Sequence, residues 1–101
     1  MKNYRIALAQ INPVVGDLKN NYTKIVNYIK KFNKKTDLIV FPELCLAGYP
    51  PEDLILRDSF LNEISSYLDK IKQICEHLDL AIILGAPLKE KKQVRNAGVY
   101  I

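Results

Sequence analysis

Apolar residues fall along this chain in two textures: short unbroken runs, and longer stretches in which they return every three or four positions. "YRIALAQI", residues 4–11, is a run closed by Asn12 and Pro13, and it predicts a buried strand. "NPVVGD" predicts a turn, with Asp17 placed to cap a helix. Beyond it Leu18, Tyr22, Ile25, Val26, Ile29 and Phe32 recur at helical spacing and predict an amphipathic helix ending near Lys35. "DLIVF" is a second strand, stopped by Pro42, which has no amide to give to a ladder.

An irregular loop, "PELCLAGYPPEDL", comes next. Asp58 or Ser59 can then cap a second helix, whose stripe is Phe60, Ile64, Tyr67, Leu68, Ile71, Cys75 and Leu78. "LAIILGAP" predicts a third strand, "LKEKKQVR" a charged, hairpin-like connection, and "NAGVYI" the start of a fourth strand. The order β-α-β-α-β-β implies an α/β fold with right-handed crossovers and a largely parallel sheet. Strands this apolar call for cover on both faces, and two helices give a partial cover at best. The apolar ending "GVYI" reads as an interruption, so residues 1–101 are expected to be one incomplete domain.

Composition narrows the class. Of 101 residues, 49% are hydrophobic and 26% charged, as in an ordinary globular chain and unlike a disordered one. The net charge of +4 comes mostly from lysines at 19–35 and 89–92. Most lie on the polar side of the first helix, and no aromatic residues interleave with arginines, so a solvated helix face is expected and no nucleic-acid partner. No segment approaches the roughly 20 apolar residues that cross a bilayer. The amino-terminal "MKNYRIALAQINP" lacks a cleavage pattern and reads as a first strand. Two cysteines without CxxC spacing indicate neither a disulfide framework nor a metal site, and fit a reduced, cytoplasmic setting.

Chemistry concentrates where the second strand ends. In open parallel sheets, sites form at the carboxyl ends of strands, and Glu43 follows such an end. Phe41, Leu44 and Leu46 are expected to desolvate its carboxylate and suit it to general-base work, the plainer alternative being a surface or helix-capping glutamate. Cys45, two residues on, is the nucleophile nearest in sequence, but its geometry for an in-line bond is awkward. Cys75 falls on the apolar stripe of the second helix, and His77 is placed to complement that helix's carboxyl end. By these residues alone, half a catalytic device is present.

"FPELCLAGYPPEDL" resembles the segment around the catalytic glutamate of the carbon–nitrogen hydrolase (nitrilase-like) superfamily. The likeness continues through "IALAQINPVVGDLKNNYTKI", "DLIVFPE" and "LGAPL", and so covers essentially the whole chain. The extension "GYPPEDLILR" is most similar to the glutaminase domains of the glutamine-dependent NAD synthetase group. The resemblance implies an α-β-β-α sandwich in which this chain is the first part. It implies that Glu43 is the general base, and that the family's lysine and nucleophilic cysteine lie beyond residue 101. Cys45 would then be a bystander. Tyr49 either lines the glutamine pocket or serves the turn, Pro50 and Pro51 set the loop's exit, and Asn96 matches a recurrent strand-start asparagine whose role stays open.

The implied function is ammonia release from glutamine, for ATP-dependent amidation of deamido-NAD by a further domain. This chain has no glycine-rich phosphate loop; ATP and magnesium are expected on that missing domain, and no cofactor here. The chain alone is expected to be inactive and to associate through its unpaired sheet edge, and the full-length protein to form homo-oligomers. Two rivals stand beside this reading. One is another amidase of the superfamily, acting on a nitrile, an N-carbamoyl compound or a dicarboxylic monoamide. The other is a non-catalytic α/β module that binds a partner through its basic face.

Overall fold

The computed structural model describes residues 3–48, 54, 57–90 and 93–101. Strand β1 (Ile6–Leu8) leads to helix α1 (Leu18–Phe32), strand β2 (Leu38–Val40), helix α2 (Asp58–Leu78) and the antiparallel pair β3 (Ala81–Glu90) and β4 (Gln93–Tyr100). This is the β-α-β-α-β-β order the apolar pattern predicts. Asp17 caps α1 as expected, its carboxylate accepting from the Asn20 amide. At α2 the cap position is Arg57, in extended backbone and with no side-chain cap bond. Asp58, expected as a cap, opens the first turn instead, where its charge complements the positive end of the helix dipole. His77 lies in the last turn of α2, and Asp79 closes that helix in the left-handed conformation.

The strands form one sheet in the order β1-β2-β3-β4, parallel until the final antiparallel step. Two right-handed crossovers that advance in the same direction put both connecting helices on one face. The burial pattern agrees. Register pairs Ala7, Ile39 and Ile82 on the helix side, where Ile39, Ile82 and Leu84 are fully buried in one cluster with Ile25 and Ile29 of α1 and Ile64 and Ile71 of α2. Each fully buried side chain of this size stabilises the fold by about 1.5–3 kcal/mol. Tyr22 and Tyr67 join the two helices, with ring centroids 4.9 Å apart. The Lys70 ammonium sits 5.0 Å from the Tyr67 ring, so it covers apolar surface as well as solvating the helix.

The other sheet face carries Ile6, Leu8, Leu38, Val40, Ile83 and Tyr100, and no described element covers it. Ile6 is 55% exposed and Leu8 and Tyr100 each 72%. The expectation of a buried first strand over 4–11 is therefore corrected: β1 has three residues, and only one side of it is covered. An unbroken apolar run does not say which of its sides a neighbour will reach. The charged connection over 88–95 is also more regular than expected. Strand pairing runs from Ile83 with Tyr100 out to Glu90 with Gln93, because main-chain hydrogen bonds need no apolar side chains. Among the described residues, no helix is long and apolar enough to cross a membrane.

Candidate active site

The loop after β2 is held by backbone rather than by bulk. Phe41 makes the last ladder bond, its amide donating to the Ile83 carbonyl at 2.8 Å. Pro42 then ends the strand, and Leu44 turns the chain sharply at φ 50°, a left-handed conformation that is costly for a residue with a Cβ. The turn lies flat against β3 because residue 85 is glycine. A Cβ there would come within 2.6 Å of the Leu44 nitrogen and 3.0 Å of the Glu43 Cα. Gly48 makes a second close approach: at φ +84° its Cβ position falls 2.5 Å from the Val15 Cα.

A buried polar side chain ties this loop to the first one. Asn21 of α1 is fully buried; its Oδ1 accepts from the Val14 amide at 2.8 Å, and its Nδ2 donates to the Val14 carbonyl at 2.7 Å and the Leu46 carbonyl at 2.9 Å. The Gly16 amide adds a direct bond to the Ala47 carbonyl at 2.9 Å. Asn21 thereby satisfies main-chain groups of two irregular loops that the core would otherwise strand without partners. Sequence reading passed over it, since one asparagine in a helix looks like any other polar position until both loops are seen to converge on it.

Glu43 leaves this mount on the uncovered side of the sheet. Its Oε1 accepts from Nδ2 of Asn96 on β4 at 2.5 Å. Phe41, Glu43, Ile83, Gly85, Asn96 and Gly98 line a cleft of about 250 Å³. The expected desolvation of Glu43 by Phe41, Leu44 and Leu46 is not found. Those three side chains are buried in the body of the fold, while Glu43 is exposed. The chain turns at Leu44, in the left-handed conformation, and residues 44–47 are buried while Glu43 is exposed.

Cys45 is fully buried and unpaired, and burial pushes its thiol up to about 12; main-chain hydrogen bonds, that of Gly85 among them, only partly offset this. A thiol so protonated is no nucleophile at neutral pH. Cys75 is likewise buried, its thiol raised by burial to about 11. Tyr49, Pro50 and Pro51 lie outside the described residues. A larger cavity, about 680 Å³, sits at the opposite end of the sheet between the carboxyl end of α2 and Val99–Ile101. It is remote from Glu43 and from the smaller cleft, where a carboxylate and an amide converge.

The sequence and the fold define a class. A sequence profile of the carbon-nitrogen hydrolase family matches residues 5–101, and the chain belongs to that family. Among its relatives, glutamine-dependent NAD(+) synthetase of Thermotoga maritima is 45% identical over 86 residues, which are 84% of this chain and 15% of that protein. The enzyme of the same name from Aquifex aeolicus is 41% identical over 85 residues, again 84% of this chain and 15% of the relative. The crystal structure of the Cytophaga hutchinsonii glutamine-dependent NAD(+) synthetase superposes with a TM-score of 0.89 at 29% identity, covering 97% of this chain and 17% of that one. An amidase from Nesterenkonia sp. matches at a TM-score of 0.83 and 20% identity, over 96% of this chain and 37% of that one, which speaks for the shared fold alone. The chain thus spans about 15% of the length of the synthetases it matches.

Proposed function

We propose that this chain is the first part of a glutaminase domain in a glutamine-dependent NAD synthetase, and that Glu43 is its general base. The observation that carries the reading is the placement of Glu43: a carboxylate on a rigid turn at the carboxyl end of β2, directed into an open cleft of a carbon-nitrogen hydrolase fold. By resemblance to the family, the nucleophilic cysteine and the cationic lysine of the reaction are assigned outside residues 1–101, and the burial of Cys45, whose thiol stays protonated, supports that assignment for the cysteine.

In this mechanism the Glu43 carboxylate takes the proton of the incoming cysteine thiol. The thiolate attacks the side-chain amide carbon of glutamine, and the lysine with main-chain amides stabilises the oxyanion. As the carbon–nitrogen bond breaks, Glu43 returns its proton to the nitrogen, which leaves as ammonia. A water molecule then gives a proton to Glu43 and attacks the thioester carbonyl. The carbon–sulfur bond breaks, the thiol recovers its proton, and glutamate departs. One carboxylate thus carries protons in both halves of the cycle, which requires access to substrate on the cleft side.

ATP and magnesium belong to another part of such an enzyme. The sequence of this segment holds no glycine-rich phosphate loop. The test is made with the full-length protein that carries this segment. Ammonia release is measured with glutamine and with a panel of simple amides, nitriles and N-carbamoyl compounds, for the parent and for Glu43→Gln. Glutamine-selective release that Glu43→Gln lowers by about 10²–10⁴-fold is expected. Turnover of other amides without glutamine would replace the synthetase reading with a general amidase, and an undiminished Glu43→Gln would remove Glu43 from the chemistry.

A further inference from the structure

We infer that Asn96 is the positioning residue for the Glu43 carboxylate: it occupies Oε1 and leaves Oε2 as the oxygen that exchanges protons. The inference rests on the reading of Glu43 as general base. It starts from the 2.5 Å bond between the two side chains, which joins residues 53 apart in sequence. A carboxylate only accepts, so the atom facing it is the amide nitrogen of Asn96, and the direction of the bond is fixed by chemistry.

The surroundings favour a role in orientation over one in packing. Asn96 is exposed, and the cleft beside it is lined by Phe41 and Ile83 together with the glycines Gly85 and Gly98. Gly85 and Gly98 face each other across the β3–β4 ladder on that side of the sheet. Gly85 is glycine to admit the Glu43 turn, whereas a Cβ at Gly98 would meet nothing within 4 Å. The exposed carboxylate therefore has open space on the Gly98 side, and the Asn96 side chain holds it by a hydrogen bond. Asn96 sits on a strand anchored by main-chain pairing to β3, the same strand against which the Glu43 backbone rests. Base and positioning amide share one rigid reference, and their separation does not depend on a mobile loop.

Losing this bond frees rotation about the glutamate side chain and leaves the two oxygens equivalent. A misplacement of about 1 Å in a reacting group costs up to about 100-fold in rate. Single-turnover ammonia release from glutamine by the full-length enzyme tests the idea with Asn96→Leu, which matches the size of asparagine but donates nothing. Asn96→Asp, of the same shape, is the second variant should leucine disturb the strand. The expected result is a fall of about 10–100-fold in the rate at saturating glutamine, with KM and melting temperature unchanged. In a Glu43→Gln background the same substitution should cost nothing more, because its effect passes through Glu43.

A rate within twofold of the parent for Asn96→Leu, alongside a strongly slowed Glu43→Gln, overturns the role of Asn96 and leaves Glu43 as base. Equal losses from Asn96→Leu in both backgrounds also overturn it. Full activity of Glu43→Gln would instead defeat the functional reading beneath it.

Discussion

Along β2 and β3, neighbouring residues of the same kind meet opposite surroundings. Ile39, Ile82 and Leu84 are fully buried beneath two helices, whereas Leu38, Val40 and Ile83, one step away, are only half-buried on the other face. Leu8 and Tyr100 on that second face are 72% exposed. The period-two geometry of strands makes the division, and the topology makes it one-sided by sending both crossovers the same way. The covered face carries the packing. The bare face carries Glu43, Asn96 and the cleft. Stability and candidate chemistry are thereby separated by the thickness of one sheet.

That separation can be broken from either side. The largest effect is expected on the bare face: Glu43→Gln should lower glutamine-dependent ammonia release of the full-length enzyme by about 10²–10⁴-fold, while leaving its thermal midpoint in place because the side chain is exposed. A large drop in midpoint would mean that the bare face carries stability too. On the covered face, Ile82→Ala should cost about 2–5 kcal/mol in urea unfolding, as deletion of a fully buried branched side chain leaves a cavity. Asn21→Ala should cost less, about 1–3 kcal/mol, by leaving main-chain groups of Val14 and Leu46 without partners. A neutral Asn21→Ala would show that water replaces its bonds.

The buried thiols give a smaller, pH-linked effect. Both are raised in the fold above an ordinary value of 9.0, Cys45 to about 12 and Cys75 to about 11. The unfolded chain therefore loses these protons first. Their contribution is fully present below pH 9 and declines as pH rises from there through the folded values. Urea midpoints of the parent should fall more steeply from pH 8 to pH 10.5 than those of a Cys45→Ala, Cys75→Ala double variant, and parallel curves would contradict the burial. The smallest effect is expected from Leu8→Ser, within about 0.5 kcal/mol for this 101-residue chain. The same change should reduce self-association of the chain, read by sedimentation, because it breaks an exposed apolar patch. A clear loss of stability in the full-length protein would show that something covers this face there.

Much of this arrangement was legible in the residues. The stripes from Leu18 to Phe32 and from Phe60 to Leu78 placed both helices, because helical burial writes a period into sequence. The proline after "LIVF" marked the strand end that delivers Glu43. What stayed hidden depends on contacts between distant segments. Asn21 matters through two loops that meet only in the folded chain, and Asn96 through a strand pairing that brings it beside a residue 53 positions away. The exposure of β1 was hidden for another reason: apolar composition records that a strand can be buried, and topology decides which side is.

The bonds of Asn21 have a consequence for motion. Loop amides are ordinarily among the first to exchange with solvent, yet those of Val14, Gly16 and Gly48 are each engaged, with Asn21, Ala47 and Leu44 respectively. Release of the Val14 amide requires its bond to Asn21 of α1 to break, so hydrogen exchange should find these loop amides slower than those of an unbonded loop. The segment that presents Glu43 would then move with α1, and the carboxylate would ride on a loop in shape that is a lever arm of the helix in its dynamics.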